Sequence, residues 1–596
     1  MSGPLGEYSK RLQSHVDAAA AFNRTHIRIG NLKLAAIAAG LVMAWFAYSK
    51  HAFTGYWLMV PAAFYGLLAV VHERALGGRG RAETAAAFYR QGIARIEERW
   101  MGTGRTGERF RDQGHVYSGD LDLFGPGSVF ELLCTARLPM GENWLAQWLQ
   151  GPAPKSEVLE RQTLVAELSK KLDLHRDLAL VGEQVRARLN PESLTAWAEA
   201  QTVMPGMLWR ICAALLALAA TAATLLMFAT SRMWPLLAVL IVELGFRYVL
   251  LRRAETVVGG VSCNAEGLVL FAEILQRLER EAFTAARLQA MAASLKQNGA
   301  IASAAVRRLA QIVYWTDAHH SLIAHILELP LLYTVQVAFA AESWRNHHGK
   351  ELRKWIAVAG EMEALMSLAT YAYERPNDPF PEFAETEGSS AFFDGHELGH
   401  PLIAATRCVR NSVRLDDQTR VLLVSGSNMS GKSTLLRAVG INTVLAMAGA
   451  PVRARSLRLS PLSVGSRIRS TDSLQEGRST FYTEILHIRS VFDLAKGKNP
   501  VLFLFDELLE GTNSKDRQIG AESLLRGLLQ RGAIGIVTTH DLALTEITTA
   551  LGTVLRNVHF EDQVVDGKMQ FDYTLRPGVV TKSNAIELMR LIGLEM

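Results

Sequence analysis

The stretch from Val421 to Ser433 reads as an apolar strand, a glycine-bounded loop and a helix start in immediate succession. The strand residues Val421 to Val424 lead into Gly426-Ser427-Asn428-Met429-Ser430-Gly431-Lys432-Ser433, and the helix continues from Thr434. A glycine at each end lets the backbone N–H groups turn inward around an anion, and the helix N-terminus adds positive partial charge. A lysine in the last turn of such a loop reaches β and γ phosphates, and the serine after it is a magnesium ligand. This order forces an α/β layer with the loop at the C-terminal edge of a parallel sheet. The expected ligands are ATP and Mg2+. Gly426, Ser427, Asn428, Met429, Ser430, Gly431, Lys432, Ser433 and Thr434 are the expected nucleotide-binding residues, with Ser433 on the metal.

Two further strand ends supply reactive groups. Val501 to Phe505 is a run of five apolar residues that closes on Asp506 and Glu507. Side-chain alternation sends the two acids different ways, so Asp506 is expected to hold magnesium and Glu507 to orient and deprotonate the attacking water. Ala533 to Thr538 ends in Thr539-His540-Asp541, which puts His540 at the same sheet edge as a candidate γ-phosphate sensor. Taken singly, a buried strand ending in acids can be structural and a lone histidine is more often an ordinary surface residue. The phosphate-loop pattern upstream favours the catalytic reading of both.

The rest of the chain is different in character. Its 596 residues exceed what one core can serve, so several domains are expected, and 49% hydrophobic residues beside 20% charged ones imply concentrated apolar segments. They form two hairpins. The first runs from Leu34 to Tyr48 and from Gly55 to Val71; the second from Ile211 to Thr230, through a turn at Ser231 and Arg232, and from Trp234 to Leu251. The arms of the second are long enough to span a bilayer, those of the first are near the lower limit. Arg28 and Lys33 precede the first hairpin, Arg74, Arg79 and Arg81 follow it, and Arg252 and Arg253 close the second. That asymmetry predicts a multi-pass protein of the cytoplasmic (inner) membrane with both termini in the cytoplasm. Tyr48, Tyr56, Trp57, Trp209 and Trp234 near the segment ends suit the interface. The alternative is a pair of helical hairpins buried in a soluble domain. Glu243 and Arg247 share a helix face at a spacing of four, either placed to neutralise each other in lipid or, on a helix packed against protein, simply solvated near its end.

Residues 82–100, 128–200 and 255–373 read as amphipathic helices, and the Pro- and Glu-rich RPNDPFPEFAETEGSS marks a boundary before the α/β part. The expected domains are 1–81 with the first hairpin, 82–204 and 254–397 as two parts of a helical core, 205–253 as the second hairpin, and 398–596 as the α/β domain. Cys134, Cys212, Cys263 and Cys408 are widely spaced, which supports neither disulfide framework nor zinc site. A net charge of +5 over this length argues by itself for neither nucleic acid nor anionic lipid. The N-terminal MSGPLGEYSKRLQSH has no signal-peptide pattern. Arg453, Arg455, Arg458, Arg467 and Arg469 lie close together in sequence, either as phosphate contacts for DNA or as an ordinary solvated face.

The segments GSNMSGKST, EGRSTFYTEI, FDELLEGTNSKD and TTHD resemble, in order and spacing, the ATPase domain of the MutS family. GHPL from Gly399, NVHF from Asn557 and RPGVVTKSNA from Arg576 are similar to its entry and closing elements. DLFGPGSVFELLCTARLPMGENWLAQWLQGP and GEMEALMSLATYAYE resemble the start and end of that family's core helical domain. The resemblance implies an α/β ABC-type P-loop ATPase domain, C-terminal to an α-helical core domain. It implies that Ser479, in Glu476-Gly477-Arg478-Ser479, reaches across a homodimer to the partner's γ-phosphate as a third catalytic residue. Read without the family, that segment is equally a plain helix cap. The residues before the core-like part leave no room for the family's mismatch-reading and connector domains, and little follows the last strand, so dimerisation is expected to rest on the nucleotide interface. The resulting expectation is a membrane-anchored, MutS-like ATPase that dimerises around ATP, with DNA as an expected partner and mismatch reading in doubt. The alternatives are an ATP-driven membrane scaffold or clamp with a protein partner, or a transporter-type ABC ATPase, against which the absent LSGGQ signature argues.

Overall fold

The computed structural model describes residues 3–50, 52, 54–260, 264–296, 299, 301–317, 328, 330–385, 390–468, 480–510, 513–565 and 568–580. Two compact units divide the chain, Met1–Thr103 and Gly104–Met596.

The first unit is one long antiparallel hairpin. Helices α1 (Pro4–Ser49) and α2 (Met59–Ile96) are joined through a 3-10 turn at Gly55–Leu58. At 1.5 Å per residue they extend about 69 Å and about 57 Å, far beyond the apolar arms visible in the sequence. The expected boundary at residue 81 falls inside α2, because Ala82, Ala85, Ala86 and Tyr89 carry the packing face on past the apolar run. Tyr8 meets Tyr89 edge-on at 5.6 Å, and Arg79 donates to Asn23 at 2.8 Å. Towards the turn, a small core of Ile29, Leu68 and Ala75 gives way to bare apolar side chains, with Leu41 68% exposed.

The second unit begins with a helical body. Helices α3 (Val129–Leu133), α4 (Pro139–Gln150), α5 (Lys155–Leu168), α6 (Leu172–Arg188) and α7 (Pro191–Glu199) lead to the second hairpin, α8 (Met207–Thr230) and α9 (Trp234–Gly259). Its turn lies where the sequence placed it, with Ser231 in the left-handed region at φ 54°. Helices α1, α2, α8 and α9, the second of these counted from Gly55, are each long and apolar enough to cross a membrane by length and composition. The pairing expected between Glu243 and Arg247 is not formed. Arg247 turns to Glu328 at 3.3 Å, and both Glu243 carboxylate oxygens are buried without a hydrogen-bond partner among the described residues. A partner 81 positions away thus outcompetes the neighbour on the same helix.

After α10 (Ala265–Arg280), α11 (Ala286–Ser294) and α12 (Ala302–Asp317), the body is organised by α13 (Tyr333–Glu374), which packs against α4, α5, α7, α9 and α12. Gly349 is required there, since a Cβ would stand 2.3 Å from the Ala198 carbonyl oxygen. Glu363 of α13 accepts hydrogen bonds from Leu138 N at 2.8 Å and Arg137 N at 3.3 Å, tying the start of α4 to the long helix. Its complete burial pushes the carboxyl up to about 8, against the pull of those two N–H groups and of Arg137. The folded state therefore holds a proton that the unfolded chain releases above the ordinary carboxylate range, so this contribution to stability is present at pH 4 and is lost as pH rises towards 8. We expect the melting temperature of Glu363→Gln, relative to wild type, to rise between pH 5 and pH 8; a constant difference would place the charge elsewhere.

The C-terminal part holds two sheets. In the smaller, β1 (Glu382–Phe383), β2 (Phe393–Leu398), β3 (Asn411–Leu415) and β5 (Ser456–Leu459) are ordered β1-β5-β2-β3. The larger combines β4 (Val421–Ser425), β6 (Ser463–Arg467), β7 (Val501–Phe505), β8 (Ile534–Thr539), β9 (Leu555–Val565) and β10 (Lys568–Pro577) in the order β10-β9-β4-β8-β7-β6. All its neighbours are parallel except β10 on β9. Helix α14 (Lys432–Ala448) follows β4, α15 (Thr480–Leu494) precedes β7, and α16 (Ser514–Gln530) joins β7 to β8. The strands read as unbroken apolar runs because both sheet faces are covered: Val421, Leu423, Phe503, Phe505 and Val537 share one core with Val491 and Leu525 of the helices. The adjacent, parallel β4, β8 and β7 therefore deliver Gly426, His540 and Asp506 to a single edge.

Candidate functional site

The loop after β4 turns through three positive φ angles, 157° at Gly426, 71° at Met429 and 103° at Gly431. A Cβ on Gly426 would come 2.9 Å from Ser430 Oγ. Lys432 opens α14 and folds back over the loop, where Nζ donates to Gly426 O at 2.8 Å and Ser427 O at 2.9 Å. It is 5% exposed, and burial lowers its pKa while Glu507 and Asp506 pull the other way. Ser427 Oγ and Ser430 Oγ are buried with no hydrogen-bond partner among the described residues. A ring of turned backbone, two unpaired hydroxyls, a lysine and a helix N-terminus fits a phosphate chain.

Asp506 meets this loop from β7. Ser433 Oγ donates to its carboxylate at 2.5 Å, Thr538 Oγ1 donates to the other oxygen, and its backbone N donates to Arg467 O at 2.8 Å. A hydroxyl and a carboxylate at one point form the oxygen donor set that Mg2+ takes beside phosphates. Glu507 follows with φ 50°, its N–H bonded to Thr538 Oγ1 at 3.1 Å and its Oε1 4.0 Å from Lys432 Nζ and 3.3 Å from His540 Nδ1. The left-handed backbone at Glu507 and at Leu509, φ 58°, is held by its surroundings. Leu509 N donates to the buried Glu484 at 2.9 Å, and Arg517 donates to Leu509 O at 3.1 Å and Glu510 O at 2.8 Å. Glu510 joins Glu507 and His540, with carboxylate and ring atoms all within 4.8 Å of one another. Burial pushes the Glu510 carboxyl up and Glu507 beside it pushes further.

The structure thus brings together Ser427, Asn428, Met429, Gly431, Lys432, Ser433, Thr434, Asp506 and Glu507 around one cleft of about 740 Å3, with Gly426 and Ser430 in the same loop but off its lining and His540 at the side of Glu507. Ser479 lies outside the described residues. Among the lining residues, Arg407, Val409, Asn411 and Tyr573 carried no signal in the sequence, while His400 stood out there only as part of the GHPL segment and Cys408 only as an isolated cysteine. Tyr573 adopts φ 54° and stands over the loop, where a Cβ on Gly431 would meet its ring at 3.1 Å. Asn411 holds it there by donating to Tyr573 O at 2.9 Å and accepting from Leu575 N at 2.8 Å. His400 is kept neutral, its pKa pushed down to about 4 by burial and by Arg437. The arginines considered as phosphate contacts scatter. Arg453 is buried 3.8 Å from Asp378, Arg455 pairs with Glu397, Arg458 lies over Phe392, and Arg469 falls outside the described residues.

Residues 422–596 match the model of MutS domain V. The chain is 31% identical over 246 residues to the DNA mismatch repair protein MutS of Streptococcus pyogenes serotype M5 (strain Manfredo), across 41% of this chain and 28% of that protein. It is 31% identical over 256 residues to the same-named protein of Streptococcus pneumoniae serotype 19F (strain G54), across 42% of this chain and 30% of the relative. The chain thus spans less than a third of the length of these curated relatives. MutS domain V is an ATPase domain of the P-loop family, and its match contains the loop, both acids and His540. The similarity supports a MutS-family C-terminal part and, through it, ATP and Mg2+ as ligands.

Proposed function

We propose that this protein is a membrane-anchored, Mg2+-dependent ATPase of the MutS kind, which hydrolyses ATP to ADP and phosphate and dimerises around the nucleotide. The observation that carries the reading is the convergence of Lys432, the Ser433–Asp506 pair and the Glu507–His540 pair on one sheet edge. Magnesium held by Ser433 and Asp506 would draw off charge from the β- and γ-phosphate oxygens. Lys432 offers its ammonium to the same oxygens. Glu507 takes a proton from water as the water oxygen bonds to phosphorus and the bond to the leaving ADP oxygen breaks. His540, in reach of Glu507, orients that carboxylate and can donate to the departing phosphate. Ser479 is assigned to the partner's site across the dimer, on the family resemblance. Assaying ATP hydrolysis with and without Mg2+ tests the reading, and absence of Mg2+-dependent turnover in the purified chain would overturn it.

The anchoring part rests on the bare apolar faces of α1, α2, α8 and α9, where Leu218 and Leu225 are 66% and 67% exposed. Such continuous surface suits lipid contact, with the α/β part and both termini on the cytoplasmic side. We expect the full chain to stay in the pellet after alkaline carbonate extraction. Leu218→Arg with Leu225→Arg, at roughly 2.5–3.5 kcal/mol each in mid-membrane, should lower the integrated fraction several-fold. Release of the wild type into the supernatant would remove the membrane from the proposal. DNA enters as a partner through the family resemblance and the relatives' names. Stimulation of turnover by homoduplex, mismatched or branched DNA would favour it, and ATP-dependent dimerisation without any stimulation would favour a scaffold with a protein partner.

A further inference from the structure

Residues 116–128, which lead into the helical body, are inserted into the C-terminal part. Leu121 is fully buried against α14, where a Cβ on Gly440 would come 2.7 Å from its side chain, and Leu504 of β7 lies at the same point. Beside it, the Asp120 carboxylate accepts from Ser466 Oγ at 2.9 Å and from Ile468 N at 3.0 Å. Its carbonyl accepts from Arg437 Nε at 3.0 Å, and Arg437 also faces Asp122 at 3.8 Å. Ser466 N completes the join by donating to Val116 O at 3.0 Å.

Each of these contacts is one step from the chemistry. Between Ser466 and Ile468 stands Arg467, whose carbonyl accepts the backbone N–H of Asp506 at 2.8 Å. Ile468 is also the last described residue before 469–479, the segment that carries Ser479. Arg437 sits one turn into α14 from Ser433, the hydroxyl that meets Asp506. Beyond it, past α3, the chain is fixed to α13: Thr135 N donates to Ser367 Oγ at 3.1 Å and Leu138 N to Glu363 at 2.8 Å. Helix α13 in turn packs on α9 of the second hairpin.

We propose that Asp120 is a positioning residue of the nucleotide site. It sets β6 and the adjoining Ile468 at a fixed distance from α14, and so places Asp506 against Ser433 and ties both to the helical body. This deepens the ATPase reading and rests on it. A displacement of about 1 Å at such a site is enough to cost on the order of 100-fold in rate, whereas the loop that binds phosphates is built without Asp120.

The test uses the full chain in detergent, with Asp120→Ala, Asp120→Asn and Ser466→Ala. Steady-state kcat and KM, affinity for a fluorescent non-hydrolysable ATP analogue, and melting temperature are measured for each. The expected result is a kcat at least about tenfold lower in Asp120→Ala, with analogue affinity close to wild type. Asp120→Asn, which keeps an acceptor but loses the charge, should fall between the two, and Ser466→Ala should show a smaller loss of the same kind. If Asp120→Ala fails to fold, the other two variants carry the same test. Unchanged kcat overturns the proposal, as does a loss of rate that only follows the loss of binding sites or of thermal stability. An active wild type with unaffected variants overturns the role of Asp120 alone; a wild type that binds the analogue without turnover overturns the ATPase reading beneath it.

Discussion

Glu507→Gln is expected to bind ATP with near wild-type affinity and to turn it over at least about 100-fold more slowly, the usual contribution of a positioned general base. Glutamine has the shape of glutamate, and the main restraint on residue 507 is its backbone N–H on Thr538 Oγ1, which the substitution leaves alone. The cleft around Lys432 and Asp506 should therefore survive while the proton acceptor is gone. Product formation in a single turnover, read beside equilibrium binding, separates the two effects. With hydrolysis blocked, the ATP-bound dimer should accumulate, visible as a shift in size-exclusion chromatography that wild type shows only briefly. Wild-type turnover in this variant would remove Glu507 from the mechanism and leave His540 or Glu510 as the group to examine.

Lys432→Ala is expected to act at the earlier step, lowering ATP affinity by about 10- to 100-fold for the loss of one charged hydrogen-bond donor, at 1.5–3 kcal/mol. The loop loses its internal clasp too, since Nζ bridges the Gly426 and Ser427 carbonyls. Stability should respond differently from affinity. Burial already disfavours the ammonium, as the lowered pKa of Lys432 records, so its removal relieves a desolvation cost while it forfeits two hydrogen bonds. A melting temperature within a few degrees of wild type, together with lost ATP binding by isothermal titration, is the expected pair of results. Undiminished affinity would sink the phosphate-loop assignment.

The groups legible in the sequence are those carried by continuous segments. Gly426 to Thr434, Asp506, Glu507 and His540 each follow directly on an apolar strand, and parallel pairing brings the three strand ends together without further information. What escaped notice comes from contacts between distant parts of the chain. Glu484 reads as one more helical acid until its carboxylate is found on Leu509 N, and Arg517 as a surface cation until it is found holding two carbonyls of the loop after Glu507. Asn411 and Tyr573 are separated by 162 positions and meet only because β10 and β3 approach each other. The hairpins show the same divide. Hydropathy located their apolar arms and the Ser231 turn, yet the polar continuations of α1 and α2 are held by small residues such as Ala82, Ala85 and Ala86, which carry little hydropathy signal. Spacing alone suggested that Glu243 and Arg247 would pair, but spacing cannot weigh a rival such as Glu328.

Thr538 gives its single hydroxyl proton to Asp506 and receives the amide proton of Glu507. One side chain of β8 thereby works as a caliper on two neighbouring acids of β7. Were β8 to slide along β7 during the nucleotide cycle, the Asp506 carboxylate and the Glu507 backbone would be drawn the same way, and their distance from Lys432 and Ser433 would change together. The metal end and the water end of the reaction would then be engaged or withdrawn in one stroke, rather than tuned separately.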